Sequence, residues 1–283
     1  MGGMAVLWVV AALAPQTSLL QVNSYAHLSV AQYRSSPANG VGGDAGVELD
    51  LYQRPLRDDD SPLSLQPFLQ RDGTIWIDAA GGGSQLDNGG FSSRSRSGSA
   101  SAGVDLYVHP WVAITASFGG GAGSGDDSNG LHHQSWILRG SAGLGVRWDD
   151  VRFDIRYALS GGYSDGQPRT PFYGNFVLGA EIVVQRRLDV VIDVETIDDG
   201  VLASFYLEGF ARRRLGGYLG FGGGAAHPGA SVPFRSAFGK LGVAPWWSRH
   251  FGVNIAYQAT WNTGPGYEVI EHLLTLVLRS RAR

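Results

Sequence analysis

Apolar and polar residues alternate along most of this 283-residue chain, and strict alternation is the signature of strands with two unlike faces. In Val151–Leu159 the odd positions are Val151, Phe153, Ile155, Tyr157 and Leu159, against Arg152, Asp154, Arg156 and Ala158. In Trp136–Trp148 one face carries Trp136, Leu138, Leu144, Val146 and Trp148, and the other Ile137, Arg139, Ser141 and Arg147. Ser101–Val108, Leu188–Thr196 and Phe251–Asn262 follow the same rule. These runs are longer than the ~5–6 residues of globular strands. They have the length of tilted, membrane-crossing strands.

The connectors alternate as well. His109-Pro110, Asp149-Asp150, Arg186-Arg187, Arg213-Arg214 and Trp247–His250 read as short turns. Ser84–Ser97, Ala122–Gln134, Tyr163–Phe172, Asp198–Gly200, Ala226–Pro233 and Asn262–Gly266 read as longer polar loops. Short turns on one side and longer loops on the other are the rhythm of an outer-membrane barrel, periplasmic and extracellular respectively. The pattern predicts twelve strands, at 74–83, 99–108, 111–121, 135–148, 151–162, 173–185, 188–197, 201–212, 216–225, 234–245, 251–262 and 268–280. Val47–Tyr52 and the weaker Ala26–Val30 add two more, with a connector at 54–72. The expected fold is therefore all-β: one closed, antiparallel, up-and-down transmembrane barrel of about fourteen strands, with twelve as the alternative.

Alternation alone does not say which face is outside, because soluble sandwiches and barrels also alternate. The polar faces decide it. They carry Asp105, Arg139, Arg147, Arg152, Asp154, Arg156, Glu181, Asp189, Asp193, Glu195, Glu208 and Arg212. These charges would oppose one another on neighbouring strands, which suits a hydrated lumen wall. Aromatic residues collect at strand ends, as interfacial girdles require. Trp111, Trp148, Trp246, Trp247 and Phe251 stand by the short turns, and Trp136 and Trp261 by the longer loops.

Composition narrows the reading. Glycine is abundant, at 42 residues, and shows no collagen period. The hydrophobic share of 43% is too high for a disordered chain. A net charge of −3 offers no basic field to nucleic acid. The chain has no cysteine, which removes disulfides, thiolate metal sites and a lipidated-cysteine anchor. Met4–Ala14 is one apolar run, too short for a membrane helix. It reads as the core of a secretory signal over residues 1–20, which leaves 21–283 as the barrel.

In this pattern the mature chain resembles bacterial outer-membrane β-barrel proteins. The segment Asp58-Asp59-Asp60-Ser61-Pro62-Leu63-Ser64-Leu65-Gln66-Pro67-Phe68-Leu69-Gln70-Arg71 is also similar to one in uncharacterised myxobacterial outer-membrane proteins. The resemblance implies an outer-membrane address. It also implies contact with membrane lipid and lipopolysaccharide, and insertion by the barrel assembly machinery. It implies no particular activity. The end of the chain, Leu278-Arg279-Ser280-Arg281-Ala282-Arg283, departs from the terminal aromatic usual in such barrels.

Candidate chemistry is sparse. His132 and His133 beside Asp126 and Asp127 could supply a base or a metal site, and read better as loop polarity. His272 alternates onto the apolar face with no His-x-Ser spacing. Asp58–Asp60 lacks the interleaved glycine and closing glutamate of a calcium loop. Gly119–Gly125 precedes no helix that could present an anion site. The expectation is a non-enzyme without cofactor or metal. The leading reading is a passive channel for small polar solutes or ions, the alternative a closed structural or surface-interaction barrel, with an outer-membrane hydrolase third. Eleven inward acids against seven inward bases predict weak cation preference if the lumen conducts.

Overall fold

The computed structural model describes residues 19–34, 38–52, 73–165, 170–184, 188–197, 200–212, 214–226, 234–248 and 250–282. Fourteen strands follow one another: β1 (Leu19–Tyr33), β2 (Asn39–Tyr52), β3 (Thr74–Asn88), β4 (Phe91–His109), β5 (Val112–Asp127), β6 (His132–Trp148) and β7 (Val151–Ser164). The second half continues with β8 (Thr170–Val184), β9 (Leu188–Ile197), β10 (Gly200–Arg212), β11 (Leu215–Ala226), β12 (Arg235–Pro245), β13 (Phe251–Gly264) and β14 (Tyr267–Ala282). Each strand pairs antiparallel with its chain neighbours, and β1 pairs with β14 from Leu20↔Ala282 to Tyr33↔Val269. Closure leaves no unpaired edge, the condition for placing a sheet in lipid.

The barrel thus has fourteen strands rather than twelve. The expected targeting segment falls mainly on residues 1–18, and the connector at 54–72, with Asp58–Asp60 and the myxobacterial-like segment, also lies outside the described residues.

The outer face is apolar. Leu28, Val47, Ile114, Leu144, Phe153, Ile155, Leu178, Ile192, Leu219, Leu241, Ile255 and Leu276 are all exposed. A water-soluble monomer rarely shows contiguous apolar patches beyond a few hundred Å². Here the belt runs round the barrel; its members Ile75 and Ile77 on β3, Val104 and Leu106 on β4, and Phe205 and Leu207 on β10 are half-buried. Such a belt is stable only against lipid.

Two expected loops are strand instead. Ser84–Ser97 holds the end of β3, a two-residue turn at Gly89-Gly90 and the start of β4. Ala122–Gln134 holds the end of β5 and the start of β6, joined through Ser128–Leu131. Beyond the apolar belt both faces of these strands carry Ser, Gly, Arg and Asp. The period-2 signal vanishes there, while backbone pairing, which does not depend on side chains, continues. At the opposite end Asp149 takes a left-handed φ of 48° in the β6–β7 turn, a conformation Asp tolerates and two-residue hairpins need.

Candidate functional site

The lumen is mainly polar and differs along its length. At the end where β1 begins and β14 finishes, the terminal end, side chains fill it. Tyr52, Ala113, Val183, Ala244, Trp246 and Ala256 are buried there. Gln21, Asn23, Asp50, Thr74, Arg152, Asp189, Asn254 and Arg281 are buried among them.

One network closes the β1–β14 seam. The Arg281 Nε donates to Gln21 Oε1 at 2.9 Å. The Gln21 amide donates to Asn23 at 3.1 Å, and Asn23 donates to Asp50 and Glu48 at 2.8 Å each. Tyr25 donates to Asp78 at 2.7 Å one step further in. The Arg281 guanidinium also lies over the Trp246 ring, 4.1 Å from its centroid.

Trp246 is therefore not a girdle residue. It is 3% exposed, and the glycine at 252 gives its ring room, since a Cβ there would collide with it. The Trp246↔Gly252 bridge keeps the register of the β12–β13 ladder, so the alternation of exposed Val243 and buried Ala244 carries on and points this tryptophan inward. Trp111, Trp136, Trp148, Trp247, Phe251 and Trp261 point outward and are exposed. Trp247 stacks on Phe251 with centroids 5.2 Å apart.

A second network runs from the terminal end toward the middle of the lumen. Arg152 on β7 forms ion pairs with Asp105 on β4 at 2.9 Å and Asp154 at 2.8 Å. The two intervening strands allow this reach because β6 has a glycine at 145. A Cβ there would meet both Asp154 and the Arg152 guanidinium. Arg156 faces Asp193 on β9 at 3.9 Å. Arg152, Asp154, Arg156, Glu181, Asp189, Asp193, Glu208 and Asp105 all line one cavity of about 580 Å³, together with Lys240 and Arg279.

The other candidates on the inner face are more scattered. Glu195 accepts from Asn175 at 3.2 Å. Arg147 donates from Nε to the Asp149 carbonyl at 3.0 Å, by the rim. Arg139 is exposed on the inner face of β6, and Arg212 closes β10. Sequence reasoning missed Gln21, Asn23 and Arg281. Gln21 and Asn23 sit in a stretch of weak alternation, and Arg281 lies beyond the strand end expected at 280.

Toward the far end the wall changes to serine and glycine. Ser84 and Ser95 share a hydrogen bond at 2.8 Å, and Ser117 and Ser141 one at 2.7 Å. Ser95, Ser97, Ser99, Ser135 and Arg139 are exposed on this inner face. Small hydroxyl-bearing residues leave room and remain wettable. Beyond the belt, Asp165 accepts from the Tyr163 hydroxyl and the Gln134 backbone N–H, both at 2.7 Å, which hold its carboxyl below the usual range.

The candidate histidines lie away from the central cavity. The His132 Nδ1 meets Asp126 at 2.8 Å, and His133 lies 3.9 Å from Asp127. Asp127 also accepts from the backbone N–H groups of Asn129 and Leu131, so its carboxylate shapes the β5–β6 turn. On the outer face the Tyr257 hydroxyl and His272 Nδ1 are 2.6 Å apart. Among the described residues no group of three His, Asp or Glu converges as a metal site.

No protein-family model and no curated protein sequence matches the chain. Solved structures do. The toluene transporter TbuX of Ralstonia pickettii superposes with a TM-score of 0.54 at 11% identity, covering 96% of this chain and 91% of that one. The translocator domain of the autotransporter NalP from Neisseria meningitidis gives 0.50 at 13%, covering 97% and 93%. A ΔS2S3 mutant of TodX, a monoaromatic hydrocarbon channel of Pseudomonas putida, gives 0.52 at 10%, covering 99% and 94%. The fold is that of the bacterial outer-membrane β-barrels. At these identities the likeness is one of architecture, shared by a translocator and by transporters alike.

Proposed function

We propose that this outer-membrane barrel is a passive channel for small polar solutes, with weak preference for cations. The observation that carries the reading is the charged central cavity inside a closed barrel. Its wall holds Asp105, Asp154, Glu181, Asp189, Asp193 and Glu208 against Arg152, Arg156, Lys240 and Arg279. Fixed wall charge sets ion preference in a pore. The similar barrels include a toluene transporter and a hydrocarbon channel. This interior is charged, and polar solutes suit it better than hydrocarbons.

A second reading, a closed structural barrel, has its own support in the filled terminal end, where Gln21, Asn23, Asp50 and Arg281 are buried in one network. Planar-bilayer recording on the folded barrel separates the two. The channel reading expects discrete openings, a reversal potential displaced toward cations, and a larger displacement in Arg156→Glu. A barrel that stays silent at every voltage is closed. Openings with anion preference would mean that the cavity's ion pairs neutralise its acids.

A further inference from the structure

Within the central cavity the charges are unevenly distributed. The bases Arg152 and Arg156 lie on β7, while β8, β9 and β10 contribute Glu181, Asp189, Asp193 and Glu208. Asp189 and Glu208 are direct cross-strand partners. Glu181 is diagonal to Asp189, since Val183 is that residue's partner on β8. Glu181 and Asp189 share a hydrogen bond, and Arg152 and Arg279 act on Glu181 and Glu208. Acids still outnumber bases on these strands, and like charges placed directly opposite are destabilising, so this corner gains from a further positive occupant.

Independent observations point the same way. Asp189 is 4% exposed, and its Oδ1 has no hydrogen-bond partner. Asn254, 6% exposed on the same cavity, also has an unpartnered Oδ1. Asp105 Oδ1 and Thr115 Oγ1 on this cavity also lack partners, as do the Nε donors of Arg156 and Arg279 on β7 and β14. Buried polar atoms are nearly always satisfied, and acceptors that these arginines leave unpaired ask for a donor from outside.

The neighbouring residues indicate which donor. Tyr206 and Tyr218 line the same cavity, and Tyr218 is the cross-strand partner of Glu208. Lys240 holds its ammonium 5.7 Å from the Tyr218 ring, so the ring face on this wall accommodates an alkylammonium. A bare metal ion suits the corner less, because no three carboxylates or imidazoles converge on one point among the described residues. The cavity of about 580 Å³ accommodates an aliphatic amine with its water.

We propose that the Glu181–Asp189–Glu208 corner, with Asn254 and the two tyrosines, is a saturable binding site for small organic ammonium ions. This rests on the reading of the interior as a path for solutes. Titration calorimetry on the detergent-folded barrel tests it, with putrescine as the probe and diacetylputrescine, succinate and Mg²⁺ as comparisons. The expected result is saturable putrescine binding and none of diacetylputrescine or succinate. Asp189→Asn and Glu208→Gln should each weaken binding by about tenfold or more, as loss of a charged partner does. Asp87→Asn, on the exposed far end of β3, removes the same charge elsewhere and should leave binding unchanged.

Equal binding of putrescine and diacetylputrescine would overturn the site using wild-type protein alone. So would Mg²⁺ binding in place of putrescine, or indifference to Asp189→Asn in a variant that keeps its heat-modifiable gel shift. Binding without conductance would overturn the channel and leave the site intact. Conductance without binding would do the reverse.

Discussion

Two arginines four residues apart on the inner face of β7 have different duties. The Arg152 side chain is 5% exposed and held by two carboxylates, whereas that of Arg156 is 41% exposed and meets Asp193 only at 3.9 Å. Removing one member of a buried, paired set leaves its partners desolvated and uncompensated. Arg152→Gln should therefore cost about 3–5 kcal/mol of folding stability. For Arg156→Gln the pair is largely screened by water, and the cost should stay below about 1 kcal/mol. Urea titration of the barrel folded into liposomes reads both. Equal costs would mean that Arg152 is hydrated in the membrane-inserted protein. The alternation assigned the two arginines to one face without distinguishing them, because it contains no information on what lies across the lumen. The glycine at 145, which opens the path from Arg152 to Asp105, was visible only as one glycine among many.

At the scale of the strand, the pattern was legible where one face met lipid and the other water. Val151–Leu159 and Leu188–Thr196 lie inside observed strands because each residue there has one of two sharply different neighbours. It faded at Ser84–Ser97 and Ala122–Gln134, where both faces are polar and the ladder extends past the bilayer. The expectation of girdle aromatics at strand ends misled at the tryptophan pair after β12, where alternation continued from Ala244 puts Trp246 inside. Trp246 and Trp247 look alike in sequence, yet one is 3% and the other 60% exposed. The bridge from Trp246 to Gly252 fixes the first ring beneath Arg281, while the second stacks outward on Phe251. Brominated lipid should quench the fluorescence of Trp247 and spare Trp246, measured as the difference each Trp→Phe substitution makes. Trp246→Ala should cost about 3–5 kcal/mol, the range for emptying a buried aromatic site, and Trp247→Ala considerably less. Quenching lost equally in both variants would place Trp246 at the membrane surface after all.

Across the whole barrel, strand pairing is uniform but side-chain filling is not. The terminal end is filled by the Arg281–Gln21–Asn23–Asp50 network and the buried residues around it. The far end keeps serines and glycines on its inner wall, with Ser95, Ser97 and Ser135 exposed. On the channel reading this arrangement acts as a funnel: solutes would enter through the hydroxyl-lined mouth and meet their selection at the charged cavity. The chain itself provides a clean test, because it contains no cysteine and any introduced thiol is unique. Ser97→Cys places a thiol on the far inner wall, and Asn254→Cys places one in the central cavity. A bulky polyethylene-glycol maleimide should label the first in the folded barrel and not the second. A small charged thiosulfonate should label both, the second more slowly. Bulky labelling at both positions would mean a lumen of even width, and the selecting cavity would lose its role. Failure of even the small reagent to reach Asn254→Cys from either side would leave a sealed barrel with an open cup at one end.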